Sequence, residues 1–317
     1  MRVSCIIPTY RQMDYLLETI KSVLVQGYPN IELIIADDAS ENFDELEIQK
    51  FIQNNKKENL KNFYIIQHEK NVGTVRNMND ALKKCSGEII MPIASDDVFY
   101  NTDVIEKVVN RFKSEQCEVM SCSRQLCSND MKHRIRLMPH PAYHNRLKKM
   151  NTAEKQFLSM AVGRSFELAS GAAMYYKASY IMKNEYYDER YTLWEDGPFI
   201  AKTTRNGIKI CMAYDIISIL YRDGGISTSK NKEIPPKIYN DYCNIIKYEY
   251  LDYLDRFGVL NRRILKGKFV IQNNRDKITF GIIFKYPEAV INRYLIKISK
   301  GIDRLLYKVK KGKEQWF

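Results

Sequence analysis

The sequence predicts an α/β protein built on a mostly parallel, doubly wound sheet, followed by a basic, mainly helical C-terminal region. Three observations predict it. Over the first hundred residues, short apolar runs alternate with stretches of helical periodicity. Each run is followed by polar or small residues of the kind that bind ligands, among them Thr9, Asp38, Gly73 and Asp97. The charge then changes along the chain: residues 1–100 carry 11 Lys/Arg against 15 Asp/Glu, whereas residues 226–317 carry 20 against 9. That asymmetry describes a nearly neutral body, expected over 1–228, and a basic appendage over 229–317 that meets something anionic.

Taken in order, Val3 to Ile7 reads as a buried strand closed by Pro8-Thr9-Tyr10. Leu16, Leu17, Ile20, Val23 and Leu24 recur at helical spacing, with Asp14 as the expected N-cap and Gly27-Tyr28-Pro29-Asn30 as the stop. Ile31 to Ala36 is a second strand running into Asp37-Asp38-Ala39-Ser40, with a helix over 44–53 behind it. Phe63 to Gln67 is a third, and the turn Asn71-Val72-Gly73 opens a helix through Met78, Ala81, Leu82 and Cys85. The fourth strand leaves Gly87 and ends at Ser95-Asp96-Asp97, before a helix over 101–112. Val119 to Cys122 predicts a fifth. Residues 128–156 are polar and basic and read as a long loop, a lid or substrate loop, with His133, His140 and His144 at no metal-ligand spacing. A helix over 199–204 and strands over 208–213 and 216–221 follow.

Composition narrows the function. With 45% apolar residues in 317, the chain can bury a large core and form two domains. Seven scattered cysteines without a Cys-x-x-Cys pair read as reduced thiols, no apolar stretch is long enough to span a membrane, and the N-terminus does not read as a secretory leader; a cytoplasmic location is expected. No Gly-x-Gly-x-x-Gly follows the first strand and no Gly-x-x-x-x-Gly-Lys-Ser/Thr occurs, which argues against a dinucleotide fold and a P-loop. Phosphate charge would then be met by a cation or by basic side chains. Asp96-Asp97 suits the first and Arg76 the second.

Two carboxylate pairs carry the chemistry. Asp96 and Asp97, side by side at a strand end, repel each other and resist desolvation. A divalent Mg2+ or Mn2+ ion relieves both, since it takes one or two carboxylates together with substrate phosphates. A solvated turn capping the next helix would also place two aspartates here. Convergence decides between them: ligands of such sheets bind beyond the carboxyl ends of the strands, where Thr9, Asp38, Gly73 and Asp97 all fall. Glu195-Asp196 precede Gly197-Pro198 and a helix, where acid is favoured by the helix dipole. A carboxylate there also suits a general base acting on a hydroxyl nucleophile.

Several motifs recur in a fixed order: Ile6-Ile7-Pro8-Thr9-Tyr10, Ser22-Val23-Leu24-Val25-Gln26 before Tyr28-Pro29, Ile34-Ile35-Ala36-Asp37-Asp38-Ala39-Ser40, Asn71-x-Gly73 with Asn79, Gly87-Glu88-Ile89-Ile90 and Ser95-Asp96-Asp97. Ser170-Gly171, Tyr187-Asp188-Glu189, Glu195-Asp196 and Gly224-Gly225-Ile226-Ser227 complete the set. On these motifs, over roughly 1–228, the sequence resembles the inverting glycosyltransferase family 2, whose members have the Rossmann-like GT-A fold. The resemblance implies transfer of a sugar from a nucleotide-sugar, a UDP-sugar, to a glycan or lipid-linked acceptor in bacterial polysaccharide synthesis. It implies that Pro8, Thr9, Tyr10, Asp38, Gly73, Arg76 and Asp96 hold the nucleotide. Asp97, helped by Asp96, would hold the metal, and Asp196, supported by Glu195, would be the base. The sequence departs from the family at two places. Ala94 stands where many members carry a further aspartate, and Tyr221-Arg222-Asp223 lacks the histidine often found there, for which Arg222 or Asp223 would substitute.

The tail is read by itself. Ile291, Leu295, Ile298, Ile302, Leu305, Leu306 and Val309 share one helical face, and Lys and Arg occupy much of the rest. This is the pattern of a helix on anionic lipid, and equally of a helix packed on its own domain with a solvated basic face. With lipid-linked acceptors in view, peripheral contact with the inner face of the membrane is the expectation. Two other functions compete: a sugar-nucleotide-binding relative with weak catalysis, favoured only by Ala94, and a nucleic-acid-binding protein. The latter is suggested by net charge but lacks interleaved aromatic and basic residues, a helix-turn-helix and zinc fingers.

Overall fold

The structure is a computed structural model and describes residues 1–163, 168, 171–224 and 235–314, the last five of these as backbone. Ser170, Gly225, Ile226 and Ser227 of the motifs, and the expected 228/229 boundary, lie outside the described residues. The chain divides into two compact units: Met1–Met138 with Ala169–Asp196 and Ile210–Ile234, and Pro139–Leu168 with Gly197–Lys209 and Pro235–Phe317.

The elements run β1 (Val3–Thr9), α1 (Met13–Leu24), β2 (Ile31–Asp37), α2 (Glu45–Asn55), β3 (Leu60–Gln67), α3 (Thr74–Lys84), β4 (Ile89–Pro92), β5 (Val98–Phe99), α4 (Val104–Glu115), β6 (Val119–Cys127) and β7 (Arg134–Met138). They continue α5 (His144–Lys148), α6 (Ala153–Ala161), β8 (Met174–Lys177), α7 (Ala178–Lys183), α8 (Asp196–Arg205), β9 (Cys211–Arg222), α9 (Pro236–Ile245), α10 (Val259–Asn273), α11 (Phe280–Lys285) and α12 (Pro287–Glu314).

The first unit holds one sheet in the order β3-β2-β1-β4-β8-β6-β9-β5, with β7 paired to β6. Its first half is parallel, as the strand–helix alternation requires: β1 lies between β2 and β4 with all three running the same way. The second half is mixed. β8 runs antiparallel to β4 and β6, whereas β6 and β9 are parallel. β1 and β2 are almost wholly buried, and α1 lays Leu16, Ile20, Val23 and Leu24 against them. At roughly 1.5–3 kcal/mol for each large apolar side chain buried, this layer is a substantial part of the stability of the unit.

Local readings need correction in four places. The α1 cap is Gln12, with no side-chain bond, so Asp14 sits in the first turn and acts through the dipole. Residues 128–156 are not a structureless loop. They contain β7, which forms a hairpin with β6, a 3-10 turn Pro141–Tyr143, α5, and α6 capped by Thr152 Oγ1 on the Lys155 amide. Arginines at 134 and 136 mask the strand, because an edge strand tolerates charge. The two strands expected over 208–221 are one, β9, whose register shifts against Cys122–Arg124. β8 was unmarked by alternation, since Met174, Tyr175 and Tyr176 are all buried.

The second unit is helical apart from its connections. Phe157 packs against Tyr250 and Phe257, and the buried Arg205–Glu249 pair is stacked on Tyr253. Lys268 Nζ donates to the Ala161 carbonyl at the end of α6, 2.9 Å away. No described helix is long and apolar enough to cross a membrane.

Candidate active site

The parallel register brings three strand ends together. The Asp38 amide donates to Thr9 O (2.9 Å) and the Ile93 amide to Ile6 O (2.9 Å), so Thr9, Asp38 and the Ser95-Asp96-Asp97 turn follow neighbouring strands at one sheet edge. Because β8 runs antiparallel to β4, its beginning lies at that same edge. The turn Gly171–Ala173 leads into β8, and a Cβ on Gly171 would sit 2.8 Å from Asp196 Oδ2. Glycine therefore lets the Asp196 carboxylate press on this turn. At the usual ~4.8 Å between strands, the row from Asp38 to Gly171 spans about 14 Å.

Several polar atoms along this edge have no partner. Thr9 Oγ1, Asp37 Oδ1 and Asp97 Oδ2 are buried without a hydrogen bond. Such groups cost free energy unless something else satisfies them. Arg11 (φ 57°) and Ala39 (φ 64°) hold left-handed backbone in the two adjoining loops, and the Arg11 amide donates to Ser40 Oγ.

Asp38 is 3% exposed and accepts from the Asn71 side chain and from the Val72 and Gly73 amides at 2.6–2.9 Å. Its carboxylate thus shapes the turn that opens α3. Gly73 has φ 90°, and a Cβ there would meet Thr192 Cγ2 and O at 3.0 Å. The Val75 amide donates to Thr192 O, and Asn79 both donates to and accepts from the Tyr187 backbone at 2.9 Å. The motif residues Asp38, Gly73 and Asn79 in this way dock the segment that ends in Glu195 and Asp196. Arg76 is exposed on α3, Tyr10 is exposed, and Pro8 is half-buried.

The adjacent aspartates divide their environment unequally. Asp97 is fully buried and its Oδ1 accepts from the Arg222 amide (2.9 Å). Burial, and then the neighbouring Asp96, push its carboxyl well above the ordinary range. Asp96 is half-buried, and desolvation raises it as well. The accessible carboxylate is therefore Asp96, whereas Asp97 is built into the fold. The pair fits a divalent cation that completes its shell with phosphate and water; among the described residues no group of three or more His, Cys, Asp or Glu side chains could hold one alone.

Two supports have roles that differ from anything the sequence indicated. Arg222, 4% exposed, donates from Nε to Asp96 O (2.9 Å), from Nη1 to Asn129 O and from Nη2 to Glu18 Oε2 (2.7 Å), and stacks on Tyr15 at 3.9 Å. Its guanidinium is thus committed to the turn and is not free to replace a diphosphate-binding histidine. Thr19 Oγ1 lies 2.9 and 2.7 Å from the Ser95 and Asp97 carbonyls, and Gln26 holds Asn101 O and the Ile105 amide. The visible signal was the polar residues Thr19, Ser22 and Gln26, set among the apolar residues of α1 and the turn that follows it. On the other side of the site, the buried Tyr176 and Tyr187 rings meet edge to face at 6.2 Å, and burial, with the nearby Glu195 and Asp196 charges, raises both phenols.

The fold and this edge define a class: an α/β protein whose parallel strands end in a row of buried or half-buried polar and acidic side chains. The sequence profile of Glycosyl transferase family 2 matches residues 4–175, and the chain belongs to that family. An uncharacterized glycosyltransferase of Rickettsia conorii is 35% identical over 103 residues, 32% of this chain and 16% of that protein. A hyaluronan synthase of Streptococcus pyogenes is 29% identical over 115 residues, 36% and 27% respectively. The chain thus spans well under half the length of these relatives. Among solved structures, S. aureus TarS in complex with UDP-GlcNAc has the same fold, with a TM-score of 0.58 and 20% identity over 90% of this chain and 76% of that one.

Proposed function

We propose that this chain is an inverting glycosyltransferase that moves a sugar from a UDP-sugar to a hydroxyl of a glycan or lipid-linked acceptor in cell-surface polysaccharide synthesis. Residues 1–228 would be its catalytic domain and 229–317 its basic helical region. The observation that carries the reading is the row of Thr9, Asp38, Asp96 and Asp196 along one sheet edge, with three unpartnered buried oxygens on it. Family membership and the match to a hyaluronan synthase support sugar-polymer chemistry. The UDP-GlcNAc bound to TarS favours a UDP-linked donor.

In this reading Pro8, Thr9, Tyr10, Asp38 and Gly73 line the nucleotide, and Arg76 reaches the diphosphate. Asp97, helped by the more accessible Asp96, would hold Mn2+ or Mg2+, whose charge would offset that of the departing diphosphate. Asp196 accepts the proton of the acceptor hydroxyl as that oxygen attacks the anomeric carbon from the face opposite the nucleotide. The bond from that carbon to the diphosphate oxygen breaks in the same step, and the configuration inverts. Glu195 supports the base, and the buried tyrosine pair limits water around it. The protein would work in the cytoplasm, at the inner face of the membrane.

The test is sugar transfer and donor hydrolysis from UDP-sugars, with and without Mn2+, by wild type, Asp196→Asn and Asp96→Ala. Asp196→Asn should lose about 10²–10⁴-fold in turnover, the usual worth of a general base, while still binding UDP. Asp96→Ala should lose its response to added cation. Undiminished turnover by Asp196→Asn would refute the assignment.

A further inference from the structure

α12 turns its apolar stripe outward. Ile291, Leu295, Ile298, Ile302, Leu305 and Val309 stand four and three residues apart on one face, a pattern that in a globular domain points inward. Here these six are 51–63% exposed, and Tyr294 and Leu306 on the stripe's margins are equally open. The helix is held to its unit by a different face. Asn292 is buried and donates to Val162 O (2.8 Å), Asp303 pairs with Arg146, and Tyr307 meets His140 edge-on at 5.5 Å. α11, just before it, adds Phe280 and Phe284, each 85% exposed. Eleven of the twenty exposed large apolar side chains among the described residues lie between Phe280 and Val309, so the exposure is concentrated rather than scattered.

Charge decides what covers the stripe. Lys297, Arg304 and Lys308 run along one side of the helix, roughly a third of a turn round from the stripe's centre, with Arg293, paired to Asp276, beyond them. A second copy laid along the stripe would meet no charge complement there: Asn292, Ser299, Leu306, Tyr294, Gly301 and Lys308, which flank the stripe, include no acidic residue. The four-three spacing also lasts for fewer than the three or four heptads that a coiled coil sustains. An anionic bilayer surface satisfies both features: the apolar side chains enter the boundary below the headgroups while lysine and arginine stay at the lipid phosphates. We infer that α12, together with α11, is an interfacial helix that lies flat on an anionic lipid surface and holds this protein to it. The inference is independent of the reaction proposed above.

The experiment is flotation of the full chain with vesicles of phosphatidylcholine alone or with about one-third phosphatidylglycerol. Wild type should partition at least about tenfold more strongly onto the anionic vesicles, and 1 M-range salt should weaken that preference. Leu295→Glu with Ile302→Glu should reduce binding to both vesicles by about tenfold or more. Lys297→Gln with Arg304→Gln and Lys308→Gln should remove the anionic preference while leaving the weak binding to neutral vesicles. All five positions are exposed, and an unchanged circular dichroism spectrum confirms folding. Wild type that floats with neither vesicle, or variants that float as well as wild type, would overturn the inference. A dimer in sedimentation that the glutamate pair dissolves, without vesicle binding, would overturn it in favour of a second copy.

Discussion

Replacing Arg222 with methionine removes a guanidinium that ties three segments together. The Asp96 and Asn129 carbonyls lose charge-assisted donors in a part-buried setting, about 1–2 kcal/mol each. The stacking on Tyr15 contributes about 1 kcal/mol more. Glu18 is half exposed and returns to water, so its ion pair adds less than about 1 kcal/mol. Methionine fills the stem, and the net loss is about 3–4 kcal/mol. Urea unfolding followed by tryptophan fluorescence should show it as a lower midpoint at unchanged slope. The same variant should bind UDP more weakly in the presence of Mn2+, because the Asp96 turn is no longer clamped. Arg222→Lys should restore only part of either property, since an ammonium cannot reproduce the planar fork. A stability loss below about 1 kcal/mol, or a lysine variant equal to wild type, would refute the clamp.

Two further outcomes follow from the same geometry. Lys268 is pushed down to about 8 by burial of its ammonium end, so between about pH 8 and 10.5 the unfolded chain holds more protons than the folded one and stability rises with pH. The gain is at most about 3 kcal/mol, less to the extent that water reaches the stem, and it should disappear from the pH profile of urea midpoints in Lys268→Met; parallel profiles would contradict it. Gly73→Ala places a Cβ 3.0 Å from Thr192 at φ 90° and should cost about 2–3 kcal/mol and weaken UDP binding, whereas Gly207→Ala, at φ 86° with nothing within 4 Å, should cost less and leave binding alone; equal thermal shifts for the two would remove the docking role given to Gly73.

The parts of the site that lie in strand–turn–helix units were legible. Thr9, Asp38, Gly73 and Asp96-Asp97 each end a local hydrophobic pattern, and local pattern is what a linear reading detects. Asn79 was noticed only as a motif residue. That it clamps the Tyr187 backbone depends on a contact 108 residues away, which no local period encodes. The same holds for Arg222, whose partners Glu18, Asp96 and Asn129 come from separate segments. The unequal burial of Asp96 and Asp97 was also hidden, because two identical side chains differ only in what surrounds them.

The sequence by itself determined the α/β class, the parallel half of the sheet and the family, because periodicity and motif order are local properties. Only the tertiary structure decided which aspartate faces outward, how Gly171 and Thr192 seat the Glu195-Asp196 segment, and that the stripe of α12 faces solvent. Those depend on burial, which is set by what the rest of the chain brings alongside.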